Sequence, residues 1–352
     1  MDIETRLSII RSEPFAEAIT EQDLRAILET NAHPKHYLGL EISGIMHLGS
    51  LMLNGKKIND FDKAGVKTQV LLADWHTMAN NKLGGDWDRI IRASEFYRKA
   101  FAKFCPNTKI ILGSDLYKGN DDYWKRLMQF SRRTTMSRAT RTLVIQGRTQ
   151  KDTLHVSQYI YPMMQAADIL ALDVDIPHAG MDQRKVHVLA KELFKDMKLK
   201  TIAPVHHHLL LSLLEPPKLP SDATKEDEVI ATKMSKSKPG SSILITASDS
   251  DIAKTVRSAW CPERIVEMNP LLELCKYLIM PLKGSLNVER KREHGGDVDY
   301  ASYRELEGDY SSGKLHPADL KNGVTASLIG IVSPVRDELE KYKDLLDVFK
   351  EV

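Results

Sequence analysis

Residues 36–50 read HYLGLEISGIMHLGS. The first seven are mostly apolar or aromatic, which predicts a buried β-strand over 36–42. A turn containing Gly44 follows, and apolar residues then recur at helical spacing over 48–64. A strand, a short turn and a helix N-terminus in this order favour a bound phosphate, because unpaired N–H groups and partial positive charge collect at a helix N-terminus.

The same alternation continues to about residue 205. Thr20 is predicted to cap a helix over 20–31, with Asp23 completing the capping box. Strands separated by helices of ordinary length predict an α/β fold, namely a Rossmann-like parallel sheet with helices on both faces. Further strands are predicted at 66–73, 108–112, 174–177 and 201–205, and further helices at 87–104 and 184–197.

The pattern changes near residue 220, where a proline cluster at 216–220 and the charged stretch 225–228 indicate a linker. Pro317 and Pro334 are predicted to be first helical residues, since a missing N–H is harmless there. Helices are predicted at 252–260, 270–279, 303–309, 317–332 and 334–352. We therefore expect a Rossmann-like domain over 1–225 with an insertion over about 118–155, a loop and linker over 226–247, and an all-helical domain over 248–352.

Composition excludes several classes of protein. The chain has 352 residues, 50 Lys and Arg against 48 Asp and Glu, and a net charge of +2, so a nucleic-acid-binding face must come from local clustering. Its three cysteines are widely spaced, which argues against a disulfide framework or a zinc ribbon. The acidic start argues against a signal peptide, and no apolar run approaches the roughly 18 residues of a membrane span. We expect a cytoplasmic protein.

A second candidate for phosphate binding is the segment Lys233-Met234-Ser235-Lys236-Ser237. Its lysines offer mobile positive charges and its serines offer hydroxyl donors, so it could surround a polyphosphate. Alone, it fits an exposed basic loop equally well. In the tetrad His47-Leu48-Gly49-Ser50, Gly49 would let a ligand approach the backbone. The alternative is that His47 only caps the helix and Gly49 allows close packing.

Polar residues also recur on one predicted helix. Tyr161, Gln165 and Asp168 are spaced i, i+4 and i+7, so they share a face that would otherwise be apolar. Buried polar groups need partners, and a small zwitterion with a polar tip is one such partner. An internal network that ties the helix to the sheet is the alternative.

The segment after the fourth predicted strand, Gly180 to Lys185, lies where ligands collect in open parallel sheets. Asp182 could accept the hydroxyls of a ribose, and Gln183 could bind an amino acid. The alternative is a plain strand-to-helix turn capped by the aspartate.

These segments resemble a known family. The His47 tetrad and the Lys233 loop are similar to the two signatures of class I aminoacyl-tRNA synthetases. The wider match resembles tyrosyl-tRNA synthetases of the archaeal and eukaryotic type, and it runs over nearly the whole chain. It includes residues 37–44, 72–76, 161–168, 180–185 and 316–321.

The resemblance implies a tyrosine–tRNA ligase with a catalytic domain, a Lys-Met-Ser-Lys-Ser loop and a C-terminal anticodon-binding domain. Tyr37 and Asp168 would bind the phenol hydroxyl of tyrosine from two sides. Tyr161, Gln165 and Gln183 would hold its α-amino end. The pocket would be lined by Glu41, Ala73 and His76.

The resemblance also implies ATP as a substrate, with Mg²⁺ accompanying the pyrophosphate and no dedicated protein metal site. Catalytic roles fall on His47, Ser50, Lys233 and Lys236. ATP-binding roles fall on Gly49, Asp182, Ser235 and Ser237. The family signature usually ends in a second histidine where this chain has Ser50, so we expect reduced or redistributed phosphate stabilisation there.

On the RNA side, residues 123–148 contain seven lysines and arginines and no acidic residue, which predicts a face that follows phosphates. A solvated basic helix is the alternative. In related enzymes this stretch also forms the interface of a homodimer, which we expect here. The resemblance assigns tRNA contacts to Arg132, Arg133, Arg184, His294, His316 and Asp319.

The triplet His206-His207-His208 suggests a metal site at first sight. Adjacent residues on a strand point to opposite faces, so the three side chains cannot reach one ion. We predict no metal site there.

Two competing functions remain open from the sequence. Tryptophan could be the substrate, since the two synthetase types share this architecture, although Tyr37 facing Asp168 favours a phenol. A non-catalytic tRNA-binding paralogue is the other alternative. Ser50 supports that alternative, and the intact lysine–serine loop opposes it.

Overall fold

The computed structural model describes residues 1–147, 153–219, 231–235 and 238–350. The chain divides into two compact units. The first comprises residues 1–44, 57–207 and 344–352, and the second comprises residues 45–56 and 208–343. No helix within the described ranges is both long and apolar enough to cross a membrane.

The first unit contains the predicted sheet, with six strands in the order β1-β6-β5-β2-β3-β4. Neighbours pair in parallel except β1, which is antiparallel to β6. The Rossmann-like α/β prediction is therefore confirmed. The strands are β1 (Phe15–Ala18), β2 (His36–Leu40), β3 (Gln69–Leu72), β4 (Lys109–Leu112), β5 (Ile176–Gly180) and β6 (Val205–His207).

Several details of the sheet differ from the sequence prediction, and β5 lies at Ile176–Gly180 instead of 174–177. Strand β1 was not predicted, because its four residues include two alanines and carry little strand propensity. It is held by pairing with β6. Strand β6 begins at Val205 instead of residue 201, since Pro204 has no N–H for the ladder.

Helices cover both faces of the sheet, and helix α2 begins at its predicted cap. The Thr20 hydroxyl accepts from the Asp23 N–H at 3.2 Å, and the Thr20 N–H donates to the Asp23 carboxylate at 3.3 Å. The helices of this unit are α1 (Ile3–Ile10), α2 (Glu21–Thr30), α3 (Asn54–Lys63, which begins in the second unit), α4 (Asp74–Ala79), α5 (Trp87–Phe104), α6 (Gly113–Tyr117), α7 (Asp121–Arg133), α8 (Met136–Arg141), α9 (Val156–Ala171) and α10 (Arg184–Asp196).

Side-chain alternation along the strands creates two cores. On β2, His36 lies against Phe61 and the cluster that includes Ile176, with ring centroids 4.5 Å apart for the first pair. Tyr37 points the other way, into the cluster that includes Leu71 and Phe130. The sheet is therefore buried on both faces, as expected for parallel strands.

The three histidines at 206–208 lie apart from one another, as predicted. The His206 ring contacts the His187 ring at 3.0 Å, and the His207 ring contacts the His178 ring at 2.8 Å. His208 contacts Glu273 at 2.9 Å. No group of three or more histidine, cysteine or acidic side chains could hold a metal ion in the described part of the chain.

The second unit is mainly helical, as predicted, and also contains a small antiparallel sheet that was not predicted. Its strands are β7 (Leu286–Val288) and β8 (Val298–Tyr300). Two π-helical turns occur at Gly49–Leu53 and Cys275–Ile279. The helices are α11 (Asp249–Ser258), α12 (Pro270–Leu274), α13 (Met280–Lys283), α14 (Tyr303–Ser312) and α15 (Pro317–Leu339), and a 3₁₀ segment follows at Glu340–Phe349.

Helix α15 corrects one prediction. Pro317 is its first residue, and the His316 ring caps it by accepting from the Ala318 N–H at 3.1 Å. Pro334 does not begin a new helix, because α15 continues through it. Buried Val332 and Val335 flank Pro334, and their packing offsets the hydrogen bond that proline removes.

Helix α15 contacts strand β7 through Gly323. A Cβ at this position would lie 2.8 Å from the Asn287 carbonyl oxygen and 2.8 Å from Val288 Cγ2. Gly330, two turns later in the same helix, would meet only the tip of Lys283 at 3.9 Å. Only the first glycine is required by packing.

These two glycines provide a matched test of the packing. Gly323→Ala should lower the free energy of unfolding by about 1–3 kcal/mol, because backbone atoms must move. Gly330→Ala should raise it by up to about 1 kcal/mol, because alanine favours helix. Urea unfolding followed by circular dichroism measures both, and equal effects of the two changes would contradict the packing described here.

Candidate active site

The sheet order creates a crevice beside β2. Strand β3 lies on one side of β2 and β5 lies on the other, so the strand order changes direction at β2. In open parallel sheets, ligands bind at such a switch point, beyond the carboxyl ends of the strands. Glu41 follows β2 directly, and Asp182 and Gln183 follow β5. The structure therefore places these three predicted residues at one edge of the sheet.

Helix α9 carries the predicted polar face. Tyr161, Gln165 and Asp168 are all buried, with 7%, 8% and 1% of their surface exposed. Asp168 is the deepest, and its two carboxylate oxygens have different surroundings. Oδ1 accepts from the hydroxyls of Tyr117 and Tyr123, each at 2.9 Å.

Asp168 Oδ2, although buried, accepts no hydrogen bond from any residue that the structure describes. His76 Nε2 lies 3.5 Å from it, and neither ring nitrogen of His76 has a hydrogen-bond partner among the described residues. Leaving such groups unsatisfied inside a protein is costly. A carboxylate oxygen and an imidazole thus lie side by side, and both can form a hydrogen bond with a hydroxyl group.

The charges of these two groups follow from burial. Burial raises the pKa of Asp168 to about 7, although hydrogen bonds from Tyr117 and Tyr123 act to lower it. Burial lowers the pKa of His76 to about 3. The 3.5 Å contact has ion-pair distance, but His76 is uncharged at neutral pH, so the contact is polar and not an ion pair.

Tyr37 lies on β2 within the electrostatic reach of Asp168. Burial, and then the charge of Asp168, raise the pKa of the Tyr37 hydroxyl well above its usual value. The phenol lies over Gly39, where a Cβ would be only 2.4 Å from Tyr37 Oη. Gly39 therefore gives the Tyr37 side chain its space.

The other predicted pocket residues lie around this pair. The ring of Tyr161 packs edge-on against His76, with centroids 4.5 Å apart. Glu41 accepts from Asn80 Nδ2 at 2.7 Å. Ala73 is buried in front of α4, and the amide of Gln165 hydrogen-bonds to no described residue.

Gln183 is already partly engaged, because its amide nitrogen donates to the Ile145 carbonyl at 3.0 Å. Its carbonyl oxygen remains as an acceptor. Gln183 precedes helix α10, and Asp182 lies in the turn before it.

The first signature lies in the second unit and folds back on itself. The Gly49 N–H donates to His47 Nδ1 at 3.1 Å, so a neutral His47 ring carries its proton on Nε2. The His47 N–H donates to the Ser50 hydroxyl oxygen at 3.1 Å. A Cβ on Gly49 would lie 3.0 Å from the His47 ring, so this glycine accommodates the histidine.

Backbone pairing brings the two signatures close together within this unit. The Leu48 N–H donates to the Ile243 carbonyl at 3.0 Å, and His47 bridges to Leu244. Lys233 bridges to Leu211, and Ser241 donates to the Ser235 carbonyl at 2.5 Å. The predicted residues Lys236 and Ser237 lie outside the described residues.

The predicted tRNA-binding residues are scattered. Arg132 and Arg133 are exposed at the end of α7. Arg184 binds Glu17 at 2.8 Å. His316 and Asp319 lie at the start of α15, and His294 ends a short 3₁₀ turn at Arg292–His294.

Sequence reasoning missed Tyr117 and Tyr123 as part of the site. Each hydroxyl binds Asp168, which lies 51 and 45 residues further along the chain. No local spacing rule connects residues so far apart. The only available signal was the aromatic cluster around Tyr123-Trp124, which also fits an ordinary core.

The comparisons with known proteins identify the family. The family model described as tRNA synthetases class I (W and Y) matches residues 29–333. The tyrosine–tRNA ligase of Pyrococcus furiosus is 40% identical, over all of this chain and 99% of that protein.

Solved structures are similar as well. Tyrosyl-tRNA synthetase from Pyrococcus horikoshii, complexed with L-tyrosine, has a TM-score of 0.93 and 40% identity, with both chains fully covered. Tryptophanyl-tRNA synthetase from Aeropyrum pernix K1 has a TM-score of 0.69 at 18% identity, over 94% of this chain and 85% of that one, which shows a shared fold only. The chain therefore belongs to the class I tRNA synthetases of the tryptophan and tyrosine group, and within it to the tyrosine–tRNA ligases.

Proposed function

We propose that this chain activates L-tyrosine with ATP and transfers the tyrosyl group to the 3′ end of tRNA(Tyr). Family membership supports the reaction class. The substrate is supported by one observation, the unsatisfied Asp168 Oδ2 beside the unsatisfied ring of His76. A phenol hydroxyl donates one hydrogen bond and accepts others, so it satisfies a buried acceptor and a neighbouring donor together.

Recognition of the hydroxyl explains rejection of phenylalanine. Without the hydroxyl, Asp168 Oδ2 stays buried and unpaired, and Tyr37 loses its partner. Tyrosyl-tRNA synthetases are themselves the known example of this effect, with rejection of phenylalanine by about 10⁵-fold. An apolar pocket that sensed only size would discriminate far less.

The remaining pocket residues hold the other end of the amino acid in this proposal. Tyr161, Gln165 and Gln183 bind the α-amino group, supported by the unengaged amide of Gln165 and the acceptor oxygen of Gln183. Glu41 adds negative charge beyond the end of β2. Ala73 and His76 line the space for the aromatic ring.

The ATP-binding roles are divided among the two signatures and the turn after β5. His47 Nε2–H and the Ser50 hydroxyl hydrogen are donors suited to phosphate oxygens, since Nδ1 of one and the oxygen of the other already accept. Lys233 and Lys236 supply positive charge, and Gly49, Ser235 and Ser237 complete the phosphate contacts. Asp182 accepts the ribose hydroxyls.

The chemistry needs no protein nucleophile. A carboxylate oxygen of tyrosine attacks the α-phosphorus of ATP, a new O–P bond forms, and the bond to the bridging oxygen breaks to release pyrophosphate. The terminal ribose hydroxyl of tRNA then attacks the tyrosyl carbonyl, and AMP leaves. Catalysis consists of positioning and charge stabilisation.

Mg²⁺ is proposed to arrive with ATP. The described residues contain no group of acidic, histidine or cysteine side chains able to bind a metal. Mg²⁺ bound with a nucleotide usually takes phosphate oxygens and waters as ligands, so a dedicated protein site is not required in this proposal.

The RNA-binding and assembly roles are assigned as the family resemblance implies. Arg132 and Arg133 follow tRNA phosphates, and Arg184 reads the first acceptor-stem pair. His294, His316 and Asp319 hold the anticodon. A homodimer through the insertion is supported by exposed apolar side chains on α7, α8 and α9, namely Met128, Met136, Val156 and Ile160.

For the domains, we propose a catalytic domain over 1–225, because all six strands of the large sheet lie within it. The Lys-Met-Ser-Lys-Ser loop and linker occupy 226–247, and the anticodon-binding domain occupies 248–352. Translation is the setting of this reaction, which places the enzyme in the cytoplasm.

Removal of the Tyr37 hydroxyl tests the substrate. Tyr37→Phe should lower kcat/KM for tyrosine by about 10–100-fold and leave that for phenylalanine nearly unchanged, because only tyrosine loses a hydrogen bond. ATP–pyrophosphate exchange with tyrosine, phenylalanine and tryptophan measures this. The proposal would be refuted if tryptophan gave faster exchange than tyrosine, or if the protein bound tRNA but catalysed no exchange.

The loop lysines test the phosphate assignment. Lys233→Ala and Lys236→Ala should each slow adenylate formation by about 10²-fold or more, with little change in tyrosine affinity, since their contacts strengthen in the transition state. Single-turnover kinetics separate the two quantities. Lys254→Ala, an exposed lysine on α11, is the matched control. An equal loss of tyrosine affinity would count against the assignment.

Tyrosine use should depend on pH through Asp168. The pKa of about 7 means that its carboxyl gains a proton as the pH falls through neutrality, and a protonated carboxyl is a weaker acceptor. kcat/KM for tyrosine should therefore fall below about pH 7. His76 does not contribute to the pH dependence of kcat/KM near pH 7, because its pKa is about 3. The same acidic limb in Asp168→Asn would assign it to another group.

A further inference from the structure

We propose that Tyr117 and Tyr123 are positioning residues for substrate selection, which occupy Asp168 Oδ1 and leave only Oδ2 to accept the hydroxyl of the substrate. This inference rests on the proposed function, since it concerns the same hydroxyl. It assigns a role to two residues outside the predicted pocket. Neither of them needs to touch the substrate.

The asymmetry of the carboxylate is the starting point. Its two oxygens are chemically equivalent, so only their partners distinguish them. Oδ1 accepts two hydroxyls at 2.9 Å, and rotation of the carboxylate would break both hydrogen bonds. The direction of Oδ2 is therefore held by contacts made on the other oxygen.

The two tyrosines are themselves held rigidly. Their rings lie 4.5 Å apart at 34°, and the Trp75 and Trp124 rings pack against Tyr117 at 5.9 and 6.1 Å. Gly113 gives Tyr117 room, because a Cβ there would lie 3.1 Å from the Tyr117 ring. Burial raises the pKa of both hydroxyls, so they remain protonated donors.

The polar groups that face Asp168 from elements other than its own helix support this interpretation. Tyr117 and Tyr123 come from α6 and α7, His76 and Asp74 from α4, and Tyr37 from β2. None of these is a cation at neutral pH, and the charge of Asp74 acts to raise the pKa of Asp168. No lysine or arginine forms an ion pair with Asp168 among the residues described. Tyrosine hydroxyls are therefore the protein groups that stabilise the ionised form.

Removing one hydroxyl has two consequences that can be measured. The ionised carboxyl loses a donor, so its pKa rises further. The carboxylate also gains freedom to rotate, so the substrate hydroxyl meets a less ordered acceptor. Both effects weaken ground-state and transition-state binding of tyrosine alike, which raises KM more than it lowers kcat.

The test compares Tyr117→Phe and Tyr123→Phe with wild-type protein and with Tyr310→Phe. Tyr310 is an equally buried tyrosine of the second unit, and its hydroxyl donates to the Pro262 carbonyl at 2.7 Å. Tyrosine-dependent ATP–pyrophosphate exchange is followed from about pH 6 to 9, a range that spans the ionisation of Asp168. Phenylalanine-dependent exchange and thermal unfolding accompany each measurement.

For each site variant we expect KM for tyrosine to rise about tenfold at neutral pH. The acidic limb of kcat/KM should move upward by about one pH unit, while kcat at high pH changes by less than about threefold. Phenylalanine exchange should not change. Tyr310→Phe should reproduce the wild-type limb, whatever its effect on unfolding.

An unmoved acidic limb in a folded variant would overturn the inference, as would an equal loss of kcat for tyrosine and phenylalanine at every pH. If one variant does not fold, the other still tests the inference, because each tyrosine donates its own hydrogen bond to Asp168 Oδ1. Absence of tyrosine exchange in the wild-type protein is a different outcome, and it would refute the proposed function itself.

Discussion

The candidate active site depends on one buried carboxylate that forms no ion pair with any lysine or arginine that the structure describes. Asp168 lies on α9 with 1% of its surface exposed, and burial raises its pKa to about 7. An ionised carboxyl in such surroundings requires hydrogen-bond donors. Among the residues that the structure describes, two donors bind one oxygen and none binds the other. In the proposed function the second oxygen accepts the substrate hydroxyl, so affinity and selectivity would come from the same interaction.

The fold makes this arrangement possible by surrounding Asp168 with rigid elements. Strand β2 brings Tyr37 from the centre of the sheet, helix α4 brings His76, and helices α6 and α7 bring Tyr117 and Tyr123. Tyr37, Tyr117 and Tyr123 belong to one buried hydrophobic cluster. In the proposed function, a site built from such packed elements would adjust poorly to a ligand that lacks the hydroxyl, which would give selectivity against phenylalanine.

The phosphate signatures follow a different principle. His47 and Ser50 are ordered by local hydrogen bonds within one turn, and backbone pairing of Leu48 with Ile243 ties them to the segment after the lysine loop. Residues that are far apart in the sequence thus become neighbours through main-chain contacts. In the proposed function, the lysines of the second signature supply positive charge for the triphosphate.

Local sequence was sufficient for the fold class, for most element positions and for placing polar residues on one buried face of α9. Helix α2 with its Thr20 cap, helix α5 and the polar face of α9 depend on spacing within one or two turns, which the sequence records directly. It was insufficient for β1, the small β7–β8 sheet and the continuation of α15 through Pro334, where tertiary pairing or packing overrides local preference. The partners of Asp168 were also decided only by the tertiary structure. Tyr117, Tyr123 and His76 reach it from separate elements, and hydrogen bonds between distant residues leave no periodic trace in a sequence.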